Sequence, residues 1–265
     1  MIDHEAYADS FSRCAVKLTL LFEDQVLAVG SGVIAEHSSG RILITAAHNF
    51  TGRDPGTQSP LAKHGGVPNK VKVEGCRASF TEDLYLGNNS PTESAPRYAT
   101  HPQSLLDVAV LRIKNVGSFV HALDVSFLTP SSNQYIPLYI SQTCYIIGFP
   151  IGLEHRPEQS VVFPIWKTGH IATEPMSDFE KLPRLLIDAT TRRGMSGSMV
   201  VVRQREYRGI VGNRLVGVYT GRYRQPRSGT FEQPSADETN DQFTAELGLV
   251  TKSDALGQVI AAAPR

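Results

Sequence analysis

An all-β fold of two packed barrels is predicted by two observations. The 265-residue chain divides into many short apolar runs punctuated by Gly, Pro, Asn and Asp, with few helical periods of any length. These runs form two similar sets on either side of a connection through roughly residues 115–140, which suggests two barrels and not one open sheet. In chain order, residues 12–22 and 26–35, joined by Glu23, Asp24 and Gln25, form an opening hairpin. Ile42 to Thr45 is the next strand and delivers His48 to the loop beyond its end. Residues 51–68 and 81–104 are polar and rich in turn formers, so both read as surface excursions. Asp107 opens the apolar strand VAVLRI. The second set comprises TCYIIGF, SVVFPIW, GHIAT, RLLIDAT, GSMVVV and RLVGVYT. Residues 222–242 read as a long loop and AELGLV as a last strand, with SDALGQVIAAA as a terminal helix capped by Ser253. The expected organisation is one domain, 1–265: a first barrel over about 12–125, a second over about 140–250 and a short helix over about 252–262.

Composition narrows the function classes. With 41% hydrophobic and 20% charged residues the chain reads as an ordinary soluble globular protein, long enough to bury a substantial core. Lys+Arg and Asp+Glu both number 26, so no basic field favours nucleic acid and no polybasic amphipathic stretch favours a membrane surface. No apolar run approaches the roughly 18 residues of a spanning helix. The opening MIDHEAYADS is acidic where a secretory signal is basic and then apolar. Cys14, Cys76 and Cys144 are widely spaced, with no CxxC pair. A reducing, cytoplasmic location is the expectation.

Three segments carry chemistry: ILITAAHNF around His48, LLDVAVLRI around Asp107 and TTRRGMSGSMVV around Ser196. A serine hydroxyl is a poor nucleophile at neutral pH. It needs an imidazole to take its proton and a carboxylate to fix the tautomer of that imidazole. The order His, Asp, Ser is that of the chymotrypsin-type arrangement, distinct from the orders of subtilisins and α/β-hydrolases. Small residues beside Ser196, in the G-x-S-G form of Gly194 to Gly197, let the backbone turn tightly. The backbone N–H groups of Gly194 and Ser196 are then the candidate oxyanion hole. Taken singly, a Gly/Ser turn, a strand-end histidine and a strand-start aspartate are ordinary structural features; their joint occurrence in this order favours the site. His101, though near Asp107, lacks an apolar frame, and His170 reads as structural. Asp188 reads as a structural brace for the nucleophile loop.

The chain resembles the trypsin-like serine peptidases of the chymotrypsin clan, especially the bacterial, disulfide-free branch. TAAH, DVAVL and DATTRRGMSGS carry the resemblance, with IIGFPIG, PIWKTGHIATEP and VGVYTGR similar to flanking strands. It spans about residues 12–250. The resemblance implies a double six-stranded antiparallel β-barrel, with His48 and Asp107 from the first barrel and Ser196 from the second. It implies peptide-bond hydrolysis through an acyl-enzyme, a polypeptide substrate, and neither metal nor organic cofactor. Met199 stands where the family usually has proline, and Ser198 where animal trypsins have glycine. The resemblance puts the base of the primary pocket at Thr190, not the aspartate of trypsin, so a preference for Arg or Lys is unsupported. It puts a substrate-pairing wall at Thr220, Gly221 and Arg222. Arg192, Arg193 and Arg222 read as solvated surface arginines, a reading weighed against a cleft rim that favours acidic substrates. The chain lacks the hydrophobic start that animal trypsins insert after cleavage, so activity on folding is the expectation, with restraint from loops, substrate access or a regulatory protein partner. A catalytically silent peptide-binding scaffold and a partner-activated effector protease are the alternatives.

Overall fold

Burial follows the strand period in the first half. In Lys70–Gly75 (β4) Val71 and Val73 are buried while Lys72 is exposed, the pattern of a strand with one wet face. Gly40–Ala46 (β3) and Val108–Arg112 (β7) bury runs of consecutive apolar residues, as strands covered on both faces do. The computed structural model describes residues 8–264 apart from 39, 63, 77, 115–120, 125–136, 208–209 and 224–245, with the side chains of 204–211 also set aside. The expected loop over 222–242 therefore lies almost entirely outside the described residues, as does most of the connection near 115–140.

Ala15–Phe22 (β1) and Gln25–His37 (β2) form the opening hairpin, closed by a turn at Glu23, whose φ is +51°. Residues 12–14, expected in the first strand, belong instead to a short helix, Ser10–Cys14 (α1), started by Asp9, whose carboxylate accepts from Phe11 N at 2.9 Å. With Ser79–Asp83 (β5) and Tyr98–Thr100 (β6), the first sheet runs β5-β4-β1-β2-β3-β7-β6, and Leu123–Asp124 (β8) pairs with β2 in parallel. The stretch 81–104 therefore carries the end of β5 and all of β6, where a surface excursion was expected. The polar positions misled because both strands lie at the sheet margin, where one face meets water. The sheet is curled without closing among the described residues.

The second half closes. Thr143–Gly148 (β9), Ile165–Ile171 (β12), Arg184–Asp188 (β13), Met199–Tyr207 (β14), Ile210–Arg222 (β15) and Leu247–Lys252 (β16) form a barrel in the order β12-β13-β16-β15-β14-β9. His155–Glu158 (β10) and Val161–Phe163 (β11) make a separate hairpin. Pro164 separates β11 from β12, so SVVFPIW is two strands and GHIAT the end of the second; proline has no N–H for the ladder. The fold is chymotrypsin-like, a closed six-stranded barrel and a curled half-barrel with a short C-terminal helix, Leu256–Ala262 (α3). Ser253 is buried within a 3-10 turn before α3 and does not cap it; the cap position is Ala255 and no side chain serves it.

Each half has its own core, and a third apolar cluster joins them. Leu18, Leu20, Leu43, Val71 and Leu111 fill the first, and Ile146, Ile171, Leu185, Val200 and Val250 the second. The joining cluster draws Val33, Ile44 and Val110 from the first half together with Ile147, Met199, Leu215, Leu256 and Val259 from the second. Through α3 the end of the chain returns to the first half, where Arg112 Nε donates to Ala263 O at 3.1 Å. All three cysteines are buried and outside any disulfide, and burial pushes the thiols of Cys14 and Cys144 up to about 12.

Closure of the second barrel depends on close backbone contact at Gly217, where a Cβ would stand 1.9 Å from Thr251 O. Gly217→Ala is expected to lose about 1–3 kcal/mol or more. Gly257→Ala in α3, where nothing lies within 4 Å of the new carbon, is expected to gain up to about 1 kcal/mol. Urea unfolding of both variants measures the pair.

Candidate active site

The chain turns from β3 into the helix Ala47–Thr51 (α2), so His48 sits on a helical turn where a loop was expected. No side chain at Ala46 caps α2. Asp107 does so from outside. It follows the 3-10 turn Ser104–Leu106 with φ +46°, a left-handed conformation that aspartate tolerates better than most residues. Asp107 O accepts from Ala47 N at 3.0 Å and Asp107 Oδ1 from His48 N at 2.9 Å. Its other oxygen, Oδ2, lies 2.7 Å from His48 Nδ1. One carboxylate therefore starts the helix and orients the imidazole it carries. Oδ2 selects the tautomer with hydrogen on Nδ1, which leaves Nε2 able to accept a proton.

Asp107 is buried, and the His48 side chain is 17% exposed. Burial alone would lower the His48 pKa; the Asp107 charge and hydrogen bond, with Asp54 further off, outweigh it and raise the pKa above 6.5.

Ser196 lies in a loop between β13 and β14 whose peptide planes are tied in succession. Arg193 O accepts from Ile151 N at 2.8 Å, Gly194 O from Ser31 Oγ at 2.7 Å, and Met195 O from Ser198 N at 3.0 Å. Ser196 O accepts from Ser31 N at 2.8 Å and from Asn49 Nδ2 at 3.1 Å. In a trans peptide the N–H points opposite to its carbonyl. Gly194 N–H therefore faces away from Ile151 and Ser196 N–H away from Ser198, and among the described residues neither meets an acceptor. Two unpaired N–H groups on a glycine-flanked serine are what a developing oxyanion requires. Both glycines are obligatory. Gly194 and Gly197 have φ near +90°, and a Cβ would stand 2.4 Å from Phe149 O at the first and 2.0 Å from Ser31 O at the second.

Asn49 follows His48, so its bond to Ser196 O brings the serine and the histidine together across the two halves. The Ser196 hydroxyl itself donates to Thr220 O at 3.4 Å, and among the described residues no hydrogen bond joins it to His48. Thr220 owes its position to a bulge. Tyr219 pairs with Val250 and Gly221 with Leu249, which leaves Thr220 as the extra residue in β15. Thr190 is exposed at the end of β13, and its hydroxyl donates to Glu246 Oε2 at 2.7 Å, so a carboxylate stands at this position although Thr190 is not acidic. Arg222 Nη2 donates to Thr191 O at 2.6 Å, and the Tyr219 hydroxyl meets Thr191 Oγ1. Arg222, itself exposed, therefore bridges the Thr220–Arg222 wall to the segment leading to the Ser196 loop. Arg193 contributes its carbonyl, and its side chain is exposed.

His101 is buried, and its Nδ1 accepts from Gln103 N at 3.1 Å, a local structural role. Asp188 is exposed opposite His170 in the sheet, and among the described residues it makes no hydrogen bond to the nucleophile loop; the expected brace is supplied by Ser31, Asn49 and Ile151 instead. Ser31, Thr45, Asn49 and Glu246 are the residues that sequence reasoning missed. A signal existed for the first: Gly30-Ser31-Gly32 interrupts an otherwise apolar strand.

The structure is similar to the serine endoprotease from Yersinia pestis, with a TM-score of 0.53 at 15% identity, covering 95% of this chain and 63% of that one. It is similar also to the active form of the Rv3671c protease from M. tuberculosis, with a TM-score of 0.51 at 16% identity and coverage of 96% and 82%. Protease Anisep from Arthrobacter nicotinovorans gives a TM-score of 0.53 at 11% identity, covering 97% of each chain. This chain thus spans less than two thirds of the Yersinia chain. At these identities the likeness concerns the fold. Among curated proteins none matches the sequence. Residues 30–210 match the trypsin-like peptidase domain, and the chain belongs to that family.

Proposed function

We propose that this protein is a serine endopeptidase that cleaves polypeptides through an acyl-enzyme. The observation that carries the reading is the two-point hydrogen bonding of His48 to Asp107 beside a serine whose loop presents two unpaired N–H groups. In this reading Ser196 Oγ attacks the scissile carbonyl and His48 Nε2 takes its proton. Asp107 stabilises the imidazolium, and the N–H groups of Gly194 and Ser196 receive the charge on the carbonyl oxygen. His48 returns the proton to the departing amine. Water then repeats the cycle on the ester, again with His48 as base. The substrate backbone pairs with Thr220, Gly221 and Arg222 as an added strand, and Thr190 with Glu246 meets the side chain entering the pocket.

A second reading, a resting enzyme awaiting a partner or substrate, is favoured by one observation: the Ser196 hydroxyl is bonded to Thr220 O and not to His48. In this form the contact between the Ser196 hydroxyl and His48 has still to be made. Catalytic hydrogen bonds are commonly looser before substrate binds. A silent peptide-binding scaffold is less favoured, because the Asp107 contacts that orient a neutral imidazole serve proton transfer and not binding.

Labelling by a fluorophosphonate probe tests the reading. The wild type is expected to label, Ser196→Ala not at all, and His48→Ala at least about a hundredfold more slowly. A folded wild type that does not label removes the active-enzyme reading and leaves the resting or scaffold forms. The pH profile gives a second expectation. The base works only when neutral, so kcat/KM should rise with pH through an apparent pKa above 6.5, the direction set by Asp107. Asp54→Asn should move this acid limb to lower pH with the plateau unchanged, because Asp54 raises the His48 pKa by its charge alone. Asp107→Asn should cost about 10⁴-fold in kcat while the fold persists.

A further inference from the structure

We propose that Ser31 is a positioning residue of the oxyanion hole, holding from the first half the loop that presents the Gly194 and Ser196 N–H groups in the second. This inference rests on the endopeptidase reading. Ser31 is wholly buried in β2, and its hydroxyl is used twice: Oγ donates to Gly194 O at 2.7 Å and accepts from Phe149 N at 2.9 Å. Its N–H also goes to the loop, to Ser196 O at 2.8 Å. Its carbonyl accepts from Thr45 Oγ1 at 2.6 Å, and Thr45 Oγ1 accepts in turn from Asn49 Nδ2 at 2.8 Å. The same Asn49 amide reaches Ser196 O.

Two successive tied carbonyls on either side of Met195, those of residues 194 and 196, therefore end on Ser31. They flank Met195, the residue between Gly194 and Ser196, whose N–H groups are the oxyanion donors of this reading. The Gly194 carbonyl bond fixes the plane that follows Gly194. Phe149 N, held by the same hydroxyl, belongs to the Phe149–Ile151 segment. That segment's Ile151 N–H fixes the plane preceding Gly194. One hydroxyl thus couples the peptides on both sides of Gly194. The flanking glycines permit this approach. A Cβ at Gly30 would stand 2.6 Å from the Asn49 amide, and one at Gly32 2.8 Å from Leu43. A serine merely satisfied in a core would need one partner; this one links three segments and leaves Gly194 N–H free.

The test uses the same fluorophosphonate, whose phosphonyl oxygen must occupy the oxyanion site as the serine attacks. In Ser31→Ala the limiting rate of phosphonylation is expected to fall 10- to 100-fold, while the half-saturating probe concentration stays within about twofold. The acid limb of the labelling profile should keep its wild-type position, since the His48–Asp107 pair is untouched. Ser31→Thr, which restores the hydroxyl, should recover most of the rate. Ser31→Cys, near in volume with a weak donor, should show the same loss and serves where the alanine variant does not fold. A folded Ser31→Ala or Ser31→Cys that labels at the wild-type rate overturns the proposal while leaving the endopeptidase reading standing. So does a loss accompanied by a shifted acid limb, which marks general slackening of the seam. Absence of labelling in the wild type instead overturns the reading on which the proposal rests.

Discussion

The carbonyl of Ser196 is where the two halves of this protein are hydrogen-bonded at the residue proposed as nucleophile. It accepts from Ser31 N in β2 and from Asn49 Nδ2 in α2, both in the first half, while the loop that carries it belongs to the second. Buried polar groups deprived of partners cost about 1–3 kcal/mol each. The seam between the halves is polar at this point, so any slippage would strand several such groups at once. Apolar contacts between Val33, Ile147, Met199 and Leu215 hold the halves together without direction. The hydrogen bonds supply the direction, and so fix where Ser196 stands relative to the histidine next to Asn49.

The same economy is visible at Asp107. A short helix such as α2 is not stable by itself, and its N-terminal N–H groups need acceptors. Asp107 supplies two, its main-chain carbonyl for Ala47 N and its side chain for His48 N, so the residue that orients the imidazole also starts the helix that carries it. The turn before Asp107 is in turn held from the second half, by Thr251 Oγ1 donating to Leu106 O. Structure and chemistry are therefore not separable here: the group that shapes the imidazole's tautomer also sets the backbone on which it rides.

Much of this was legible in the sequence. The apolar strands around His48 and Asp107, the glycine-flanked Ser196 and the two sets of strands could be read because each depends on local pattern. What escaped depends on neighbours distant in the chain. Ser31 looks like a strand serine until Gly194, far along the chain, is brought against it. Asn49 looks like a helix residue until Ser196 O meets its amide. The bulge at Thr220 is a mismatch of register between β15 and β16, and register is a property of the pair, not of either strand. The end of β5 and the whole of β6 hide among polar residues because a strand with one wet face and few residues has too weak an alternation to identify. Asp188 lies close to Ser196 in sequence, yet the loop is braced by Ser31, Asn49 and Ile151.

The division of the site between two halves carries a consequence for how such a protein is held in check. If the loop's peptide planes were set only by contacts within the second barrel, that barrel could present its donors regardless of the first. Instead two of the carbonyls that orient the loop are satisfied by β2, and the loop's Ile151 partner is coupled to the same serine through Phe149. In the proposed reading the oxyanion site is complete only when the two halves are docked. The Ser196 hydroxyl, by contrast, has among the described residues a single long bond to Thr220 O, weak by its length. In the proposed reading the orientation of the backbone dipoles is thus built in before substrate arrives, and the contact of the Ser196 hydroxyl with His48 is left to the end. That ordering is what preorganised electrostatic catalysis demands: donors fixed in advance need no reorganisation as charge develops.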